Sequence, residues 1–508
     1  MTLPSRVSSR SAPSSSPTVS RRRALQGGAA AVALAGVGAG GLAGCTANPA
    51  TGRQTFMGFQ SIDDDVALGG REFPKLVQAF GGAYEDRRVQ GYVQDVTRRL
   101  VPHTEFPNLP YTVTVLNTPI VNAFALPGGY VGVTRGLMAL ASNEAELASV
   151  IGHEMGHVNA RHSAERQGQG LLASLGVLVL GVATGSSEIA QLAGSVAQLY
   201  VQSYSRDQEF EADMLGGRYM TRAGYDPEGM VGLLATLREQ SQVEAAMKGL
   251  PAGAVDEYNM MSTHPRTIDR TRAALQQAAA TTPPNPVVGR DPYLQAIDGL
   301  VFGDSPDQGI IDGNTFIHPG LRLRFQVPPG YVLRNGQTAV RAQGRDGGVI
   351  QFDMAPLKGD VARTLEAMLA DANAQGFERL SVNGMPGATA GVMLNTNQGS
   401  AQGQVVMVDV GRGRAARFLF AASPNRFGAL SRGFRETTYS LMTLSAAEAR
   451  SIRPRRLDIR RAGRGDTVAR LSRGLPYGRY NADWFRLLND MPPGGEVQAG
   501  QVVKVVTT

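Results

Sequence analysis

His153-Glu154-Met155-Gly156-His157 sets two imidazoles four positions apart, with a carboxylate directly after the first. On a helix, positions i and i+4 share a face, so both rings can bind one zinc ion while Glu154 points at the water such a metal would hold. That is the minimal equipment of a zinc hydrolase. A hydrolytic zinc site uses three protein ligands and keeps one position open, so a third ligand is expected on another element. Arg206 to Asp213 offers the best candidate. Glu209 and Asp213 there lie one turn apart on one helix face, and Glu211 points elsewhere. This makes Glu209 the ligand and Asp213 the carboxylate that holds a ligand imidazole by its free N–H. One zinc per chain is expected, on His153, His157 and Glu209. His103, His162 and His318 have no partners at ligand spacing and read as structural or surface residues.

The element that must carry the two histidines is a helix. Asn143 and Glu146 have the spacing of a capping box, and Leu147, Val150, Ile151 and Val158 make an apolar stripe free of proline. Before it, the β-branched and aromatic residues of 122–135 surround Pro127-Gly128-Gly129 and read as an edge strand and turn. An edge strand beside a zinc helix can pair with an extended peptide, which favours peptide over a small ester as substrate. Asn122, Ala123, Phe124 and Ala125 are the candidate pairing residues; an ordinary hairpin is the alternative. Upstream, Asp64 to Phe80 and Glu85 to Leu100 read as helices.

H-E-x-x-H followed by R-x-x-E-x-x-A-D resembles the gluzincin metallopeptidases, which include HtpX-type and CAAX-prenyl-protease-type membrane enzymes and the soluble BepA-like envelope proteases. Further matches follow in the same order: Asn48 to Arg53 resembles the opening of mature lipoprotein members, Asn122 to Leu137 the strand and turn before the active-site helix, and Thr263-His264-Pro265 with Arg270 the segment after the third ligand. Together they cover about residues 46 to 275. The resemblance implies a mainly helical zincin peptidase domain with a small edge sheet. It also implies that His264 reaches the open zinc position or stabilises an oxyanion; capping a turn before Pro265 is the alternative. In the mechanism so implied, Glu154 takes the proton of the attacking water and passes it to the leaving amine, with no covalent intermediate.

The N-terminus carries a second signal. Ser20-Arg21-Arg22-Arg23 precedes an apolar Gly/Ala-rich run from Gly27 to Gly41 and then Leu42-Ala43-Gly44-Cys45. A basic region, a short apolar run and small residues at its end describe an export signal and not a spanning helix. The paired arginines resemble a twin-arginine signal, although Ala24 leaves the Sec route open. Leu-Ala-Gly-Cys resembles the lipobox of bacterial lipoproteins, in which the cysteine is acylated. Cys45 is the only cysteine in the 508 residues, so disulfides are excluded and it is the candidate lipidation site.

The formal charge of +7 comes from arginine, since Lys75, Lys248, Lys358 and Lys504 are the only lysines. Nucleic acid is not an expected partner of an exported chain, so the excess fits anionic envelope surfaces or a compositional bias. Leu171 to Ala183 is apolar all round but shorter than the ~20 residues a span needs. It reads as a buried or interfacial helix that, with Ile189 to Tyr204, covers the site.

The organisation expected is an export signal with lipobox at 1–45, the peptidase domain at 46–275, a Pro-containing linker at 276–293, an α+β domain at 294–445 and a further module at 457–506. The α+β domain should hold strands at Leu321–Val327, Gly348–Met354, Gln404–Val410 and Ala415–Ala421 with one helix, Val361–Gln375. Its composition suggests a structural or protein-binding role. The last module resembles LysM, a βααβ fold that binds N-acetylglucosamine-containing glycans such as peptidoglycan, or a scaffold that has lost sugar binding.

The expected protein is thus an α+β multidomain, exported, lipid-anchored zinc metalloendopeptidase. It would act on unfolded or misassembled envelope proteins from the periplasmic side, at the outer membrane, held there by lipid on Cys45 and by contact of residues 457–506 with peptidoglycan. A non-proteolytic assembly factor or chaperone attached to peptidoglycan, and a peptidoglycan hydrolase, are the alternatives.

Overall fold

A computed structural model describes residues 45–48, 50–56, 60–166, 204–249, 264, 270, 273, 276–277, 280, 282–336, 339–370, 372–396 and 399–508. The export signal, Leu171–Ala183, Ile189 to residue 203, Thr263 and Pro265 lie outside these residues.

The chain opens with a small hairpin, β1 (Cys45–Ala47) against β2 (Gln54–Phe56), followed by α1 (Ile62–Ala79) and α2 (Arg87–Leu100). Ser61 and Asp64 cap α1 reciprocally, and Val89, Val93, Val96 and Leu100 give α2 the 3–4 spacing of a core-facing stripe. A three-stranded sheet comes next: β3 (Thr112–Leu116) pairs in parallel with β5 (Tyr130–Thr134), and β4 (Ala123–Leu126) pairs antiparallel on the other side of β5. The order β3-β5-β4 leaves β4 at the edge. Gly128 and Gly129, both at positive φ, make the turn between β4 and β5, and a Cβ on Gly128 would strike the backbone of Val66.

Short α3 (Arg135–Leu140) leads to α4 (Glu144–Asn159), which carries the histidine motif. Asn143 Oδ1 accepts from the Glu146 backbone N–H at 2.9 Å, but the Glu146 carboxylate returns to the N–H of Ser142 rather than to that of Asn143. The expected apolar stripe is an understatement. Every residue of α4 is buried, because α2, the sheet, α5 (Arg206–Arg222) and α6 (Glu228–Lys248) surround it.

Residues 276–293 were expected to be a linker, yet α7 (Arg290–Ile297) begins inside that range, and Tyr293, Leu294 and Ile297 enter the main core. The Tyr293 hydroxyl donates to Met138 O at 2.6 Å. β6 (Val301–Phe302) follows and pairs with β18 (Arg455–Arg461) near the C-terminus.

Between them lies a unit with its own cores. β7 (Ile310–Asp312), β8 (Thr315–His318), β9 (Leu323–Gln326) and β17 (Met442–Thr443) make one sheet. β10 (Val332–Asn335), β11 (Val340–Gln343), β12 (Val349–Pro356), β13 (Gln375–Val382), β14 (Met385–Thr396), β15 (Gly399–Asp409) and β16 (Arg414–Ala422) make a seven-stranded antiparallel sheet. The four strands read from sequence are β9, β12, β15 and β16. The helix expected at 361–375 stops at Met368 as α8 (Val361–Met368), because Asn373 turns to positive φ and the chain re-extends at Gln375. A second helix, α9 (Pro424–Tyr439), was missed; Phe427 and Phe434 seat it against the sheet.

After α10 (Ala446–Ser451) the chain runs through β18, α11 (Val468–Leu471), α12 (Asn481–Leu488) and β19 (Val502–Thr507), with β18 and β19 antiparallel. This is the expected βααβ order. The module is not a pendant, however: Leu457, Trp484, Phe485 and Val503 belong to the same buried core as α2, α4 and α5. Lys504 on β19, 1% exposed, donates to the carbonyls of Ala139, Leu140 and Ala141 at 2.8–3.1 Å and so caps the C-terminus of α3. No helix among the described residues is long and apolar enough to cross a membrane.

Candidate active site

Helices α4 and α5 pack at backbone distance. A Cβ on Gly156 would lie 2.8 Å from Ala212 O, and one on Gly152 would lie 3.0 Å from Gly216 O. Two rows of small residues let the axes approach, and one turn of α5 then projects Glu209 across to the histidines of α4.

The Nε2 atoms of His153 and His157 are 3.1 Å apart. Glu209 Oε2 is 3.6 Å from the first and Glu209 Oε1 is 3.5 Å from the second. His264 completes the group, its Nδ1 2.8 Å from Glu209 Oε1 and 3.3 Å from His153 Nε2. One donor atom from each of His153, His157, Glu209 and His264 lies within 4.8 Å of every other, and all four residues are buried. The turn-capping alternative for His264 is thereby set aside.

Charges follow from this packing. Burial alone would raise the Glu209 carboxyl, but His264, His157 and His153 outweigh it and hold the group well below its ordinary value. Burial drives His157 well below its ordinary value, so its ring is neutral. His264 goes the other way: burial lowers it, and the Glu209 and Glu154 carboxylates raise it by more.

Outside this group, each motif histidine is held by its Nδ1. His153 Nδ1 donates to Asp213 Oδ1 at 2.9 Å, the role expected of Asp213. Arg270, itself fully buried, sends Nε and one Nη to Asp213 at 2.6 and 2.7 Å and its other Nη to Glu209. Burial and Arg270 oppose one another at Asp213, and with His153 the cation prevails and holds the carboxyl at about 2. His157 Nδ1 meets not a carboxylate but His162 Nδ1, at 2.7 Å. His162, read from the sequence as structural or surface, is fully buried against the motif, five residues beyond it, at a spacing that no ligand rule singles out. Tyr204, also missed, stacks on the His157 ring with centroids 3.7 Å apart. His318 accepts from the Leu321 N–H in a turn, and neither it nor His103 joins the group.

Glu154 is wholly buried, and neither of its carboxylate oxygens makes a hydrogen bond among the described residues, where His264 Nε2 lies 3.5 Å from Oε1. A buried carboxylate left so is costly unless its site binds water or a metal. With the His157 ring neutral, the Glu209 carboxylate ionised and the outward Nδ1 atoms of His153 and His157 already held, the residues fit a divalent metal.

The expected peptide-pairing strand lies beside this group. Along β4 the side chains alternate: Ala123 and Ala125 face the core around α4, and Phe124 and Leu126 face α1, where Phe124 packs on Phe73 and Phe80. Asn122 is buried just before the strand, its backbone N–H donating to Thr134 Oγ1 at 3.0 Å. A pocket joins Ala125, Leu126 and Pro127 of this edge to His157, Val158 and Tyr204.

Residues 87–278 match the sequence model of Peptidase family M48. That interval contains every donor of the cluster. The beta-barrel assembly-enhancing protease of Yersinia pestis is 31% identical over 245 residues, 46% of this chain and 48% of the relative. The mitochondrial metalloendopeptidase OMA1 of Arabidopsis thaliana is 34% identical over 169 residues, 33% of this chain and 32% of the relative. The Escherichia coli K12 beta-barrel assembly-enhancing protease is 29% identical over 191 residues, 36% and 39% of the two chains. The chain thus spans about half or less of the length of these curated relatives. Among solved structures, the cyanobacterial PsbP protein of Synechocystis sp. PCC 6803 aligns with 28% of this chain and 98% of its own at 11% identity, but the TM-score of 0.22 supports no conclusion.

Proposed function

We propose that the protein is a zinc metalloendopeptidase that hydrolyses unfolded or misassembled proteins of the bacterial envelope. The observation that carries the reading is the convergence of His153, His157 and Glu209 beside the buried, hydrogen-bond-free Glu154, with the edge strand β4 alongside. His153, His157 and Glu209 would hold the zinc, which when bound acts as a Lewis acid toward the scissile carbonyl and acidifies water. An extended substrate would add its backbone to the outer side of β4, a buried strand that pairs only with β5 among the described residues. Glu154 accepts the proton of the attacking water and returns it to the leaving amine nitrogen. His264 offers a fourth donor beside these three, and to leave a position open for substrate its ring would turn aside or toward the developing oxyanion.

The envelope setting rests on the likeness to the beta-barrel assembly-enhancing proteases and on the export and lipobox pattern ending at Cys45. Lipid on Cys45 would anchor the chain, on the periplasmic side and at the outer membrane, and residues 457–506, in their βααβ order, would contact peptidoglycan in the manner of a LysM module.

Metal analysis together with digestion of casein or another unfolded protein tests the reading. Wild type should carry one zinc and cleave, and His157→Ala should lose its metal on dialysis against a weak chelator. Full zinc retention by His157→Ala would overturn the ligand assignment. Zinc binding by wild type without any cleavage would favour the chaperone alternative.

A further inference from the structure

The loop between β1 and β2 does something that the proposed chemistry leaves unused. It is a closed turn: Asn48 and Arg53 bond backbone to backbone at 2.7 Å, Asn48 Oδ1 accepts from the N–H groups of Ala50 and Thr51, and Gly52 takes positive φ. The side chains of Asn48, Thr51 and Arg53 reach one place. Asn48, 1% exposed, donates from Nδ2 to Ala160 O at the end of α4 and to Glu211 Oε1 on α5, at 2.9 and 3.3 Å. The Thr51 hydroxyl donates to the same Glu211 oxygen. Arg53 forks onto both oxygens of Glu165 at 3.0 and 2.9 Å and reaches Glu211 Oε2 at 3.2 Å.

Glu211 in turn meets His162 Nε2 at 3.1 Å, and His162 Nδ1 meets His157 Nδ1 at 2.7 Å. The direction of these bonds follows from the donor inventory. Glu211 takes donors from Asn48, Thr51 and Arg53 and accepts from His162, so a His162 ring with a single proton carries it on Nε2 and leaves Nδ1 as an acceptor. His157 must then donate from Nδ1, which bares its Nε2 lone pair on the side of His153 and Glu209.

We propose that residues 48–53, acting through Glu211 and His162, are a positioning element that locks His157 in its metal-binding tautomer. Asp213 does this for His153 in one step; for His157 the acceptor is a second imidazole, and the loop holds that imidazole's own acceptor in place. The inference rests on reading His153, His157 and Glu209 as a zinc site.

Zinc affinity measured by chelator competition on the full mature chain, with the cobalt(II) absorption spectrum as a second readout, tests it. His162→Phe keeps a ring and removes the acceptor, and should weaken zinc binding about 10–100-fold, the usual effect of removing an outer partner of a ligand histidine. Thr51→Val combined with Arg53→Met lies at partly exposed positions and should weaken zinc in the same direction by about 10-fold, with a shifted cobalt spectrum and a metal-free melting temperature close to wild type. Unchanged zinc affinity and cobalt spectrum in the loop variant would overturn the proposal, as would weakened affinity accompanied by an equal loss of metal-free stability. A wild type that binds no zinc would instead overturn the site reading beneath it.

Discussion

Gly152 on α4 and Gly216 on α5 touch backbone to backbone: a Cβ added to Gly216 would lie 2.7 Å from His153 N and 2.8 Å from Gly152 C. Real Cβ atoms do not approach that closely, so the absence of two side chains sets the separation of the helices and thereby the reach of Glu209 to the histidines. Gly216→Ala should force α5 outward, with a cost of about 1–3 kcal/mol and weaker metal binding. Calorimetry and metal content check this together; an alanine variant with wild-type values for both would mean that the helices have slack.

Glu154→Gln should retain fold and metal while losing at least ~100-fold in peptide hydrolysis, because the amide is nearly isosteric yet accepts no proton from water. The comparison is made on unfolded substrate at equal zinc occupancy. Residual turnover near that of wild type would place the general base elsewhere.

Lys504→Met should destabilise the peptidase core as well as the C-terminal module, since the Ala139, Leu140 and Ala141 carbonyls all lose their donor. Each buried carbonyl left bare costs ~1–3 kcal/mol. Burial pushes the Lys504 amine down to about 7 from its ordinary 10.5, beside Glu146, which burial raises to about 7. Between the folded and unfolded values the unfolded amine is protonated and the folded one has lost its proton, keeping two N–H donors for the three carbonyls, so this group's contribution to stability rises with pH in that window. The gap between wild type and Lys504→Met should therefore widen from pH 7 to pH 10 in denaturant titrations; a constant gap would argue that the buried amine stays charged.

Cys45→Ala should shift the protein from the membrane to the soluble envelope fraction, because two acyl chains anchor stably and no described helix can substitute for them. A Cys45→Ala protein that stays on membranes through a high-salt wash would remove the main support for a lipid anchor.

What the sequence determined by itself is what helical geometry encodes over one or two turns. The i, i+4 spacing of His153 and His157, the turn between Glu209 and Asp213, and the Asn143 cap depend only on neighbours along the chain, and the same holds for the strand alternation of β9, β12 and β16 and for the βααβ order at the end. Tertiary structure alone decided that His162, Glu211 and Arg53 stand behind His157 and that the C-terminal module closes onto α3 through Lys504, and it set His264, expected near the zinc position only from the family resemblance, against Glu209. Apart from His157 and His162, those pairings join residues far apart in sequence, and no local period marks any of them. They exist because one apolar core, running from Tyr84 to Val506, buries α4 completely, so the Nδ1 atoms of its two histidines meet side chains from outside the helix.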